Sequence, residues 1–224
     1  MKMLLATNSS VALHIPSDEV LPPNGISQQD LVTFVGDLYN FAVRPQAHPA
    51  IFQPVLVFQS GKAAIGQNIY PISQLSVVAN GDIVTASTTT IAEEILNDFM
   101  DKLDTGLGYR MRASVGRLTY VSNMIVEFDH PLETRGSTFG VIEKIIQNTT
   151  KHPEPPFKLK RLAFGFGDPA PSQAITLEGV DNADFILERR AGEPYSKNRY
   201  YCSAPLKTED HLKVLAEIEK ILKR

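Results

Sequence analysis

Leu75-Ser76-Val77-Val78-Ala79-Asn80-Gly81-Asp82-Ile83-Val84-Thr85-Ala86 reads as two short apolar strands around a tight turn. Asn-Gly tolerates the positive φ angles of a type I′ turn, so Leu75–Ala79 and Ile83–Ala86 are expected to be adjacent and antiparallel. A sheet started this way is antiparallel, and its helices must come from the segments around it.

Immediately downstream, Thr90 and Glu93 have the spacing of a capping box, and Ala92, Ile95, Leu96, Phe99 and Leu103 recur as a helical stripe. Upstream, Val55–Phe58 and Ala63–Tyr70 flank Ser60-Gly61, which predicts a second hairpin. Before these, Ser27 is placed to cap a helix carrying Leu31, Phe34, Val35, Leu38 and Phe41, and Arg44-Pro45 closes it. An opening apolar run, Val11–Ile15, supplies the first strand.

The order then recurs. Leu118–Phe128 is a long strand with two fairly apolar faces, as expected for a central position. A helix over Ser137–Asn148 is expected to bury Phe139, Ile142, Ile145 and Ile146. Strands follow near Lys158–Phe166, Gln173–Leu177, Phe185–Arg190 and Arg199–Ser203, and a helix capped by Thr208 closes the chain. The fold expected is α+β: a mainly antiparallel sheet with about four helices packed on it. It reads as two similar β-α-β(3-4)-α halves, residues 1–108 and 109–224, in one compact unit. The doubling is one of element order; no residue-level repeat is visible.

The succession resembles the saddle of the TATA-binding-protein family, and Leu56-Val57-Phe58-Gln59-Ser60-Gly61-Lys62 resembles its hairpin. The resemblance is one of shape and implies a duplicated α+β body. The basic residues and paired phenylalanines that such a DNA kinker inserts are missing here, so no residue is carried over.

The totals narrow the function classes. The chain has 224 residues, 43% hydrophobic and 21% charged, the balance of a globular protein. A net charge of −3 gives no global attraction to phosphate backbones or anionic lipid. No apolar stretch is long enough to span a bilayer, and Met1–Thr7 is a poor secretion signal. A lone cysteine, Cys202, cannot form an intramolecular disulfide and fits a reducing, cytoplasmic setting.

Catalytic and cofactor signatures are absent from the letters. No phosphate-binding glycine loop opens a helix after a strand, and no nucleophile elbow occurs. His14, His48, His130, His152 and His211 are scattered, so neither a metal nor a cofactor is expected. The weak catalytic candidates are Glu127, Asp129 and His130, a dense acidic group at a strand end before Pro131. One segment is more polar than a hairpin needs: Glu188–Tyr201 carries Arg189, Arg190, Lys197 and Arg199 among Tyr195, Tyr200 and Tyr201. Guanidinium groups beside aromatic rings suit carboxylates, phosphates and protein hot spots alike. Two functions follow from this. One is a non-enzymatic, self-associating interaction protein. The other is an enzyme or binder that grips an anionic or nucleotide-like ligand through residues 188–201.

Overall fold

The structure, a computed structural model, describes residues 1–15, 20–22, 25–46, 53–113, 116–129, 138–150, 159–165 and 183–222. Its elements run β1 (Lys2–His14), α1 (Gln28–Leu38), β2 (Val55–Ile65), β3 (Asn68–Val78), β4 (Gly81–Ala86), α2 (Thr89–Leu107), β5 (Arg117–Glu127), α3 (Thr138–Thr150), β6 (Arg161–Phe164), β7 (Phe185–Arg189), β8 (Arg199–Ala204) and α4 (Thr208–Leu222). The eight strands among the described residues form one antiparallel sheet in the order β2-β3-β4-β1-β5-β8-β7-β6. That order reads the same from both ends when first-half strands are matched to second-half strands. The α+β fold is therefore as expected, with a pseudo-twofold axis between β1 and β5. No helix among the described residues is long and apolar enough to cross a membrane.

The seam between the halves echoes itself residue by residue. Ser9 on β1 lies opposite Ala86 at the end of β4, and Ser122 on β5 lies opposite Ala204 at the end of β8. All four are fully buried. Just beyond, the first residues of α2 and α4 bond reciprocally. The Thr89 N–H donates to Thr208 Oγ1 (3.0 Å), the Thr208 N–H donates to Thr89 Oγ1 (2.8 Å), and the two hydroxyls lie 3.0 Å apart. Each threonine satisfies an amide that its partner helix leaves open at its N-terminus.

Strand alternation puts Val11, Leu13 and Tyr120 on the face covered by α1 and α2, and Ser122, Met124 and Val126 on the same face under α4. Leu31, Val32 and Val35 of α1 and Ile95, Leu96 and Phe99 of α2 fill the larger cluster. Ser27 caps α1 as expected, accepting from the Asp30 N–H at 3.1 Å. β5 is central, between β1 and β8.

Several boundaries differ from the sequence reading. β1 starts at Lys2 rather than Val11, because its polar first part is held by β5 through two irregularities in register. Ser60-Gly61 is no turn: β2 continues to Ile65 and the chain reverses at Gly66-Gln67, where Gly66 takes φ +59°. Ser60 instead adopts φ +58° on the outer edge of β2, where its carbonyl accepts the Ala42 N–H, and a side chain at Gly61 would collide with the Phe41 ring. The β3–β4 hairpin exists, but Ala79-Asn80 make its turn. Gly81 already pairs, at φ +146°, and any Cβ there would meet the Leu13 carbonyl. α2 is capped by Thr88, whose hydroxyl accepts from the Ile91 N–H, while Thr90 and Glu93 reach across to Glu209 and Lys207. Thr208 lies inside α4 as its first residue.

The largest correction concerns α3. Its aliphatic side chains are not buried: Val141 is 54% exposed, Ile142 45%, Ile145 58% and Ile146 38%. The strand expected at Gln173–Leu177 lies outside the described residues.

Candidate functional site

β7 and β8 are joined by a connection that makes a short 3-10 turn at Tyr195–Lys197 and passes through Asn198 at φ +48°. The antiparallel register sets Arg189 opposite Tyr200, so their side chains share a face. The Arg189 guanidinium carbon lies 4.1 Å from the centroid of the Tyr195 ring and 5.2 Å from that of Tyr200. Its Nη1 donates to the Tyr200 hydroxyl and its Nη2 to the Pro194 carbonyl, each at 3.0 Å. The buried Nε has no partner among the described residues. Tyr200 in turn packs edge-on against Phe128 at 5.3 Å. This arginine is clamped between rings, and cation–π contact of this kind fixes its orientation.

The other cations of the segment converge on a residue the sequence reading passed over, Glu193. Arg199 Nη1 donates to it at 3.1 Å, Lys197 lies 3.4 Å away and Arg190 3.8 Å. Arg199 also donates through Nε to Glu127 at 2.8 Å. Burial pushes the Glu193 carboxyl up, but the hydrogen bonds from Arg199 and Lys197 outweigh it and hold the acid below its usual range. The bonds to Glu127 and Glu193 hold Arg199 more firmly protonated than usual. Glu127 and the arginines are thus brought together. Asp129 is set apart from them, 2.6 Å from the α-amino group of Met1, and its N–H donates to Glu219. His130 lies outside the described residues. Glu193 and Glu127 offset part of the positive charge at this end of the sheet, while Arg189 is held by neutral groups alone among the described residues.

Beside it, α3 and β6 carry exposed apolar side chains. The Leu159 N–H donates to Glu143 of α3 at 2.7 Å, which ties the exposed helix to the start of β6. β6 is the last strand of the sheet among the described residues, and Phe164 on it is 63% exposed. The opposite edge is covered at its middle: Val43, following α1, exchanges hydrogen bonds with Gln59 of β2 at 3.0 and 3.2 Å.

Three buried groups in the described residues carry chemistry of their own. Cys202 is fully buried, and desolvation pushes its thiol up to about 12, so it stays protonated and inert. His211 Nδ1 lies 2.7 Å from Ser122 Oγ, its ring packs on Phe185, and Nε2 has no partner among the described residues. Burial lowers its pKa to about 4, which keeps it neutral. Both partners are sealed from solvent, so this Ser–His pair is a structural contact. Asp82 is 4% exposed, and burial pushes its carboxyl up to about 7. One signal in the sequence points to it: Asp82 is in phase with Val84 and Ala86, the inward positions of its strand.

No group of three or more His, Cys, Asp or Glu side chains among the described residues is placed to hold a metal ion. No protein-family model matches this chain, and no curated protein or solved structure matches it either.

Proposed function

We propose that the protein works without catalysis, as an interaction protein whose partner is a second copy of itself. The observation that carries this reading is the α3 face, where Val141, Ile142, Ile145 and Ile146 share one side of a helix and all lie in solvent. A contiguous apolar patch of this kind marks a contact surface. An interface of standard size takes about 800 Å² from each partner, more than one short helix supplies. The neighbouring β6, the edge strand among the described residues, adds the rest. A strand edge offers N–H and C=O groups in a row, and two identical edges pair antiparallel about a twofold axis. The partly charge-paired Arg/Tyr end of β7 and β8 suits the polar rim of such a contact. The lone, packed Cys202 supports a reducing, cytoplasmic location.

An anionic or nucleotide-like ligand held by residues 188–201 has one observation in its favour, the 2.8 Å contact between Glu127 and Arg199. It is weaker, because Glu193 already pairs with Arg190, Lys197 and Arg199, three of the four cations such a ligand would use.

Sedimentation of the purified chain tests the reading. The wild type is expected to sediment as a dimer at micromolar concentration, and Ile142→Glu with Ile145→Glu as a monomer of unchanged circular dichroism. A wild type that stays monomeric at high concentration, or a double variant that stays dimeric, defeats it.

A further inference from the structure

A cavity of about 200 Å³ lies between the start of α1, the β3–β4 turn and the end of α2. Its walls are apolar, with Ile15, Leu31, Leu56, Leu103 and Met111 among them. Asp82 also lines it, and its carboxylate makes neither a hydrogen bond nor an ion pair with any described residue. A carboxylate buried in this way costs stability and gives nothing back within the fold. Tyr109 lines the same space. Its phenol is pushed up to about 12, first by burial and then by the charge of Asp82, so the two groups sense one another. They are the ionisable side chains among the described lining residues.

We propose that this cavity binds a small amphipathic amine, with its ammonium group on Asp82 and its apolar body against Leu31, Leu56, Leu103 and Met111. The acid repels anions. A hard divalent cation needs about six oxygen ligands, and one carboxylate and one phenol are too few. An ammonium group fits both: its N–H bonds go to the Asp82 carboxylate and the Tyr109 oxygen, and its carbon skeleton meets the walls. Size sets the class further. A dry cavity of about 150 Å³ accommodates benzene, so this one takes a ring with a two-carbon aminoalkyl arm. Because burial leaves the empty carboxyl near pH 7, an arriving cation displaces its proton and holds it ionised.

Titration of the full chain with 2-phenylethylammonium, ethylbenzene and 3-phenylpropanoate separates charge from shape. The Asp82 carboxyl carbon resonance is followed alongside the thermal midpoint. The amine is expected to shift that resonance, to lower its titration midpoint below about 7, and to bind at least about tenfold more tightly than ethylbenzene. The propanoate is expected to leave the spectrum unchanged. Asp82→Asn should bind the amine no better than ethylbenzene. An amine that leaves the Asp82 resonance unmoved at millimolar concentration overturns the proposal, as does ethylbenzene binding equally well. The resonance of the wild type decides the matter even where Asp82→Asn fails to fold.

Discussion

α1 and α3 hold the same place in their halves, each between the central strand and the outermost one, and their fates differ. α1 lays Leu31, Val32 and Val35 on the sheet, and the chain leaving it covers the middle of the β2 edge through Val43. α3 keeps Ile142 and Ile145 in solvent, and β6 ends the described sheet with Phe164 exposed. The first half keeps an irregularity inside, as a cavity around an acid with no partner among the described residues. The second half puts its apolar excess outside. Shared element order thus fixes the frame of strands and seam, while each half carries its unused chemistry where it departs from the other. Asp82 in the first half and His211 in the second are both buried on the helix face, and their responses to pH oppose.

Asp82 gives the largest expected effect. Its carboxyl rises from 3.8 to about 7 on folding, so the fold favours the neutral form. The contribution is fully present below pH 4 and is lost as pH rises through 7, a difference of roughly 4 kcal/mol between the two protonation states. Asp82→Asn removes this dependence. Urea unfolding at pH 8 should show the variant more stable than the wild type by up to about 4 kcal/mol, less the cost of its own buried amide. That advantage should vanish by pH 4. A gain that is the same at both pH values would show that the carboxyl does not titrate in the cavity.

His211 runs the other way. Burial depresses it from 6.5 to about 4, so its contribution is present above pH 6.5 and is lost as pH falls through 4. The loss is about 3 kcal/mol at most, close to what Asp82 gains over the same interval. Unfolding free energy of the wild type is therefore expected to change little between pH 6.5 and 4. Asp82→Asn should expose a fall on acidification, and adding His211→Gln should shrink that fall by up to about 3 kcal/mol, leaving the smaller part due to paired acids such as Glu193. A fall of the same size in the double variant would show that His211 does not titrate in the fold.

What could be read in the letters was whatever a few neighbouring residues decide. Ser27 and the apolar spacing after it specify a helix wherever the segment lies, and Asn80-Gly81 signals the antiparallel β3–β4 pair although the turn itself falls one residue earlier. The failures have long-range causes. Ser60-Gly61 has the chemistry of a turn, but the Phe41 ring over Gly61 and the Ala42 amide on Ser60 hold it inside a strand. Thr90 and Glu93 satisfy the capping-box spacing, yet α4 draws both side chains away and leaves Thr88 as the cap. Asp82 beside a turn looks like a solvated loop residue, and only its phase with Val84 and Ala86 turns it inward. Among the polar residues of 188–201 the cations were legible and Glu193 was not, because a connection that folds back has no sequence period to follow. The stripe of α3 correctly signals an amphipathic helix. Periodicity carries no information on whether the surface it meets belongs to the same chain.

The smallest effect tests the seam where the comparison begins. Thr89 and Thr208 make the same bonds in opposite directions, so Thr89→Val and Thr208→Val each strip an acceptor from one buried amide. Each should cost about 1–2 kcal/mol in urea unfolding, and the two costs should agree within a few tenths. The hydroxyl–hydroxyl contact at 3.0 Å is lost in either single variant and can be lost only once. The double variant should therefore be less destabilised than the two singles combined, by about 1 kcal/mol. Thr90→Val, whose partner Glu209 is on the exposed rim of the same junction, should cost only a few tenths. Strictly additive singles would mean that the hydroxyls do not share a bond. Unequal singles would place the departure between the halves at the axis itself, where the strand order and the paired serines are most alike.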